Sequence, residues 1–105
     1  MPSRIVNVGV ADLERKAAEA AVLLKLLANE NRLLILCRLA LTGELPVSAL
    51  AAAVGLSQSA LSQHLAKMRE EGLVATRRDG QTIFYHIADK NAARLLQALK
   101  GIFCS

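Results

Sequence analysis

Two groups of side chains in this sequence have the types and spacing to do chemistry. The first is Gln58, Ser59, Ser62, Gln63 and Lys67. On a helical wheel at about 100° per residue these residues and Arg69 fall on one half, and Ala60, Leu61, His64, Leu65 and Met68 on the other. Glutamine can pair with adenine through two hydrogen bonds, and serine can donate or accept, so such a face fits the base edges of a DNA major groove. An ordinary solvated helix face is the alternative. Arg77, Arg78 and Gln81 cluster around Asp79-Gly80 and would reach backbone phosphates or the minor groove. Such contacts supply affinity and register, not sequence choice. A solvated charged turn is the alternative there, with Asp79 set among the arginines. The second group is a pair of thiols, Cys37 and Cys104. A thiolate can be oxidised or persulfidated and later restored. Cys37 follows Leu33 by four residues and Leu34 by three, which puts it on an apolar face, where a free cysteine can simply be a small core residue. Cys104, beside Phe103, reads equally as an idle tail thiol. His64 borders the apolar half of the wheel. A half-buried imidazole with a satisfied hydrogen bond is the first reading, a phosphate contact the second and a metal ligand a distant third.

These groups need elements to hold them. Val47 to Leu65 reads as a short helix, a tight turn at Gly55-Leu56 and a second helix capped by Ser57; this is a helix-turn-helix, and its second helix carries the polar face. That helix runs to about Glu71 and stops at Gly72. Two extended, β-branched runs then flank Asp79-Gly80, a strong hairpin signal. Upstream, Asp12 can cap an Ala-rich helix through Leu27, and alanine has the best helix propensity. Asn29 caps a second helix, with Arg32 and Arg38 outward and Leu33, Leu34, Leu36, Cys37, Ala40 and Leu41 as its apolar stripe. Gly43 ends it, and Pro46 suits the first turn of the next. A last amphipathic helix, from about Asn91 to Phe103, carries Leu95, Leu96, Leu99, Ile102 and Phe103. The expected fold is mainly α, a winged helix-turn-helix in the order α-α-α-α-β-β-α. It would be one domain over 1–105: a flexible arm at 1–10, helices at 12–28 and 91–104, the helix-turn-helix at 47–71 and the wing at 73–87.

Composition narrows the function. A chain of 105 residues has room for one core. It is 53% hydrophobic but only 3% aromatic, which suits packed Leu/Ala helices. So small a chain buries a modest fraction of its surface, and a second copy would help. The formal net charge of +4 favours a polyanionic partner. No signal sequence or spanning run is visible, so a cytoplasmic protein with reduced thiols is expected. No Cys-x-x-Cys, Gly-rich cofactor loop or acid/base pair is present; an enzyme is not expected, a thiol enzyme being the remote alternative, and no cofactor is implied. Two His and two Cys, none at short ligand spacing, make a poor zinc site, so no metal is expected either.

Several of these segments resemble one family. Leu26-Leu27-Ala28-Asn29-Glu30-Asn31-Arg32-Leu33-Leu34-Ile35-Leu36 looks like the helix-two signature of the ArsR/SmtB family of bacterial winged-helix repressors. Leu56-Ser57-Gln58-Ser59-Ala60-Leu61-Ser62-Gln63-His64-Leu65 looks like its recognition helix, and Gly72-Leu73-Val74 with Gly80-Gln81-Thr82-Ile83-Phe84-Tyr85 like its helix end and wing. The resemblance runs over nearly the whole chain after residue 11. It implies a homodimer built from the first and last helices, bound to double-stranded operator DNA and released when an inducer is sensed. The sequence departs from both common metal patterns of that family: Leu45-Pro46-Val47-Ser48 holds no cysteine, and Asn91 to Phe103 holds no His, Asp or Glu. The places of Cys37 and Cys104 instead resemble its thiol- and persulfide-sensing subgroup (BigR-, SqrR- and HlyU-like). That resemblance implies that reactive sulfur species or oxidants join the two thiols by a disulfide or polysulfide bridge and lower DNA affinity. A repressor of the same fold answering to a metal, or to nothing, is the alternative.

Overall fold

A computed structural model describes residues 9–104 of the chain. Its elements run α1 (Val10–Arg15), α2 (Ala17–Leu27), α3 (Glu30–Thr42), β1 (Leu45–Pro46), α4 (Val47–Val54), α5 (Gln58–Glu70), β2 (Val74–Asp79), β3 (Thr82–Ile87) and α6 (Lys90–Phe103). The mainly helical fold with a β-hairpin wing is as expected. The structure differs in its first helix and in an added strand.

The first helix is two segments. It starts at Val10 with Gly9 as its N-cap, and it breaks at Lys16, whose φ is −106° and ψ 11°. Asp12 is therefore not the cap; it sits inside the first turn and pairs with Arg15. α1 buries no residue, so no packing holds its axis in line with α2. Of the arm expected over 1–10, residues 1–8 lie outside the described span, and Val10 is already helical. Asn29 does cap α3, its side chain accepting from the Arg32 N–H at 3.1 Å. Gly43 closes α3 with φ 90°, a backbone region that costs glycine little.

The orientation of α3 is not the expected one. Ile35, Leu36 and Leu39 face the core, while Leu34 and Cys37 are exposed and Leu41 is 75% exposed. α3 is apolar around most of its circumference, so periodicity alone does not choose its buried side; packing against α4 and the sheet does. Arg32 is not outward either. Its Nη1 donates to the Leu26 carbonyl at 2.9 Å and lies 2.8 Å from Glu71 Oε1, with both side chains largely covered. That oxygen is buried and receives no well-aligned hydrogen bond, so the guanidinium charge compensates it. One side chain thus ties the ends of α2 and α5 to the start of α3.

The sheet has the order β1-β3-β2, all antiparallel. β1 pairs Leu45 with Tyr85 and Pro46 with Phe84. It is an edge strand, where the missing proline N–H is tolerated, and Pro46 is the N-cap of α4 rather than part of its first turn. In the hairpin Asp79 pairs with Thr82, so the two-residue loop is Gly80-Gln81, one residue beyond the expected Asp79-Gly80. Gly80 carries φ 64° and Gln81 does not enter positive φ; glycine first is the residue order of a type II′ hairpin turn.

The core gathers Leu27, Ile35, Leu36, Leu39, Leu50, Ala51, Leu61, Leu65, Met68, Leu73, Val74 and Ala92. α4 and α5 thereby pack with α3 and the sheet around one core. The end of α5 is locked twice: the Leu73 N–H donates to the Met68 carbonyl at 2.9 Å, and the Leu73 carbonyl accepts from Ala88 N–H at 2.9 Å. Among the described residues no helix is long and apolar enough to cross a membrane.

Candidate nucleic-acid interface

The turn between α4 and α5 is built from local rules. Gly55 takes the left-handed conformation (φ 74°, ψ 30°), and its N–H bonds the Ala51 carbonyl at 2.9 Å. A side chain there would be strained, which is why glycine ends this helix. Ser57 then opens α5, its hydroxyl accepting from the Ala60 N–H at 3.1 Å. Leu61, Leu65 and Met68 are fully buried, Ala60 and His64 half-buried. Rotating that face inward turns Gln58, Ser59, Ser62, Gln63, Lys67 and Arg69 outward, and all are exposed. The structure thus brings five of the expected contact residues onto one helix face, with Lys67 and Arg69 in its last turn. His64 makes no hydrogen bond among the described residues, so the satisfied imidazole expected from sequence is not seen.

The hairpin behaves differently on its two sides. Arg78 and Gln81 are exposed at the tip, and the Arg78 guanidinium has no acid partner among the described residues. Arg77 is engaged. Its Nε donates to Glu44 Oε2 at 3.1 Å and its Nη2 to Glu44 Oε1 at 2.5 Å, and its guanidinium carbon lies 4.8 Å from the centroid of Phe84. The forked hydrogen bonds hold the Glu44 carboxyl below the usual carboxylate range and push Arg77 further up. Glu44 and Phe84 were not singled out from sequence. Glu44 is 33 residues from Arg77, and only the pairing of β1 with β3 brings the two together.

Cys37 and Cys104 are both free and exposed. Cys37 lies on the outer face of α3 with Leu34 and Leu41, so it is not a core residue of this chain. Cys104 is the C-cap of α6. Neither thiol lies on α5 or the hairpin. An open groove is lined by Leu39 and Ala40 near the end of α3 and by Leu96 and Gln97 in the middle of α6. Among the described residues no group of three or more His, Cys, Asp or Glu is placed to hold a metal ion.

A family model described as "Bacterial regulatory protein, arsR family" matches residues 29–76, which is α3 through the helix-turn-helix to the start of the wing. The chain is 47% identical over 93 residues to the transcriptional activator HlyU of Vibrio cholerae, covering 89% of this chain and 85% of that protein. It is 44% identical over 104 residues to the biofilm growth-associated repressor of Agrobacterium fabrum, covering 99% and 88%. Among solved structures, the transcriptional repressor BigR from Xylella fastidiosa superposes with a TM-score of 0.82 at 43% identity, covering 90% of this chain and 96% of that one. A homodimeric winged helix-turn-helix DNA-binding domain from Mycobacterium bovis superposes with a TM-score of 0.71 at 40% identity, covering 84% and 83%. An exposed polar helix face behind a helix-turn-helix, a wing beside it and this degree of identity along the chain have one reading: the protein belongs to the ArsR family of DNA-binding winged helix-turn-helix transcriptional regulators.

Proposed function

We propose that the protein is a homodimeric repressor that leaves its operator when Cys37 and Cys104 are joined through sulfur. The observation that carries the reading is the exposure of both thiols outside the DNA-facing surface, on two helices that line one groove. Gln97 precedes Cys104 by seven residues and Ala40 follows Cys37 by three. From the shared groove, each thiol is thus within about 10 Å along its helix axis. α6 and α2 carry much of the unburied apolar surface, including Val22, Leu24, Ile102 and Phe103, which suits a pairing surface between two copies. A bridge that fixes α6 against α3 would therefore act on the element that sets the spacing of the two α5 helices. A coupling of about 1–3 kcal/mol is a 5- to 150-fold change in DNA affinity.

The chemistry balances without a cofactor. A thiolate attacks the outer sulfur of a persulfide donor R–S–SH, gains that sulfur as Cys–S–SH and releases R–SH. The second thiolate attacks the inner sulfur of this persulfide, forming the disulfide and expelling hydrogen sulfide. A longer sulfane chain on the first cysteine gives a polysulfide bridge by the same displacement. With hydrogen peroxide, the two thiols lose two electrons and two protons and the peroxide leaves as two waters. A disulfide needs Cα atoms within about 7 Å; a polysulfide spans more.

Intact mass and operator binding, measured on the same sample, test the reading. Persulfide treatment should remove two hydrogens where a disulfide forms, or add sulfur atoms where a polysulfide bridge forms, and weaken binding, and dithiothreitol should reverse both. The Cys37→Ser/Cys104→Ser variant should bind DNA as the reduced protein does and ignore the donor. Release of that variant by persulfide as readily as wild type would sink the thiol switch.

A further inference from the structure

We propose that Glu44 positions the wing by locking Arg77 against Phe84, leaving Arg78 as the cation the wing offers to the DNA backbone. The proposal rests on the DNA-binding role of the hairpin. Arg77 and Arg78 are adjacent, so on a strand they point to opposite faces of the hairpin. Arg77 lies across from Phe84 and Arg78 across from Ile83. On the Arg77 face, Glu44 meets the guanidinium with both oxygens and the Phe84 ring lies beneath it. This fork needs the planar geometry of arginine and is not equivalent with lysine. Glu44 leads directly into β1, whose Pro46 pairs with Phe84. The Glu44–Arg77 contact therefore clamps β2 to the segment that joins α3 to the helix-turn-helix. It sets the angle at which the hairpin leaves the body and pairs the charge of Arg77, whose side chain remains 49% exposed. On the opposite face Arg78 stays exposed, next to Ile83 and near Gln81. Two arginines that look equivalent in sequence thus have different tasks, one as strut and one as contact.

The test uses the reduced full-length protein and a labelled random-sequence duplex, whose binding is electrostatic and needs no known operator. The readouts are the slope of log affinity against log salt and the hydrogen exchange of the β1–β3 amides. Arg78→Ala should flatten the slope by about one per wing with wild-type exchange. Arg77→Ala should leave the slope unchanged and speed wing exchange. Glu44→Ala should also speed exchange, and it should steepen the slope because Arg77 is released. Arg77→Lys keeps the charge but loses the fork, so its wing should exchange as fast as that of Arg77→Ala. Equal flattening by Arg77→Ala and Arg78→Ala would overturn the assignment. So would wild-type exchange in Glu44→Ala or in Arg77→Lys. A wild-type slope in both Arg78→Ala and Glu44→Ala would instead remove the DNA role of the wing itself, a different result from any of these.

Discussion

Gln63 sits on the exposed face of α5, one turn beyond Ser59, while Leu61 and Leu65 on either side of it are fully buried. That alternation fixes the direction of its amide without any contact made by the amide itself. A side chain held this way can read a base edge through two hydrogen bonds, and the loss of such a pair costs about 1–3 kcal/mol of discrimination. Gln63→Ala should therefore weaken binding to the cognate operator by that amount and barely change binding to random duplex. Fluorescence anisotropy on both DNAs at one salt concentration checks it, and an equal loss on the two would remove Gln63 from base reading. For the proposed thiol switch the rule at this scale is exposure: a sulfur donor could reach both thiols, since neither is shielded by the core.

Among the elements, α3 has the largest number of tasks. Its N-terminus is capped by Asn29, its inner face supplies Ile35, Leu36 and Leu39, and its outer face carries Cys37. Arg32 binds it to its neighbours, through the last turn of α2 and through Glu71 at the end of α5. Removing Arg32 leaves a covered carboxylate without its cation and a helix-end carbonyl without its donor. A buried polar group left unpaired costs about 1–3 kcal/mol, so Arg32→Ala should lower the unfolding free energy by about that much in a urea titration. Glu71→Gln, which removes the charge and keeps the shape, should cost less. Equal stability of Arg32→Ala and wild type would mean that the junction of α2, α3 and α5 does not depend on this residue.

At the scale of the whole molecule, the buried core is concentrated in the segment from Leu27 to Val74, joined by Ala92. The elements at the two ends leave large side chains in water, with Val22 60% and Phe103 77% exposed. Burial of apolar surface is worth about 25 cal/mol per Å², so a second copy covering these helices would gain what the single chain forgoes. Two copies related by a twofold axis can present two α5 helices to half-sites about one DNA turn apart. Sedimentation equilibrium should find a dimer at micromolar concentration, and Phe103→Glu should shift it toward monomer while leaving the fold intact. A wild-type monomer under those conditions would reject the pairing surface and, with it, the route from Cys104 to DNA affinity.

Local chemistry was legible in the residues alone. Asn29, Gly43, Gly55, Ser57 and Gly72 mark helix starts and stops because each acts on the backbone within a turn of itself. The α5 face was readable for the same reason: one buried stripe leaves a single choice of outward side. The fold class followed from the order of these elements. Tertiary structure decided what local chemistry leaves open. α3 is apolar nearly all round, so only its neighbours determine that Ile35 and Leu39 go in and Cys37 stays out. β1 is two residues long and has no strand signal of its own; it exists because β3 offers it an edge. Arg32 and Arg77 look like free surface cations until the fold brings Glu71 and Glu44 to them. Long-range charge pairing depends on which distant segments meet, and no periodicity along the chain encodes that meeting.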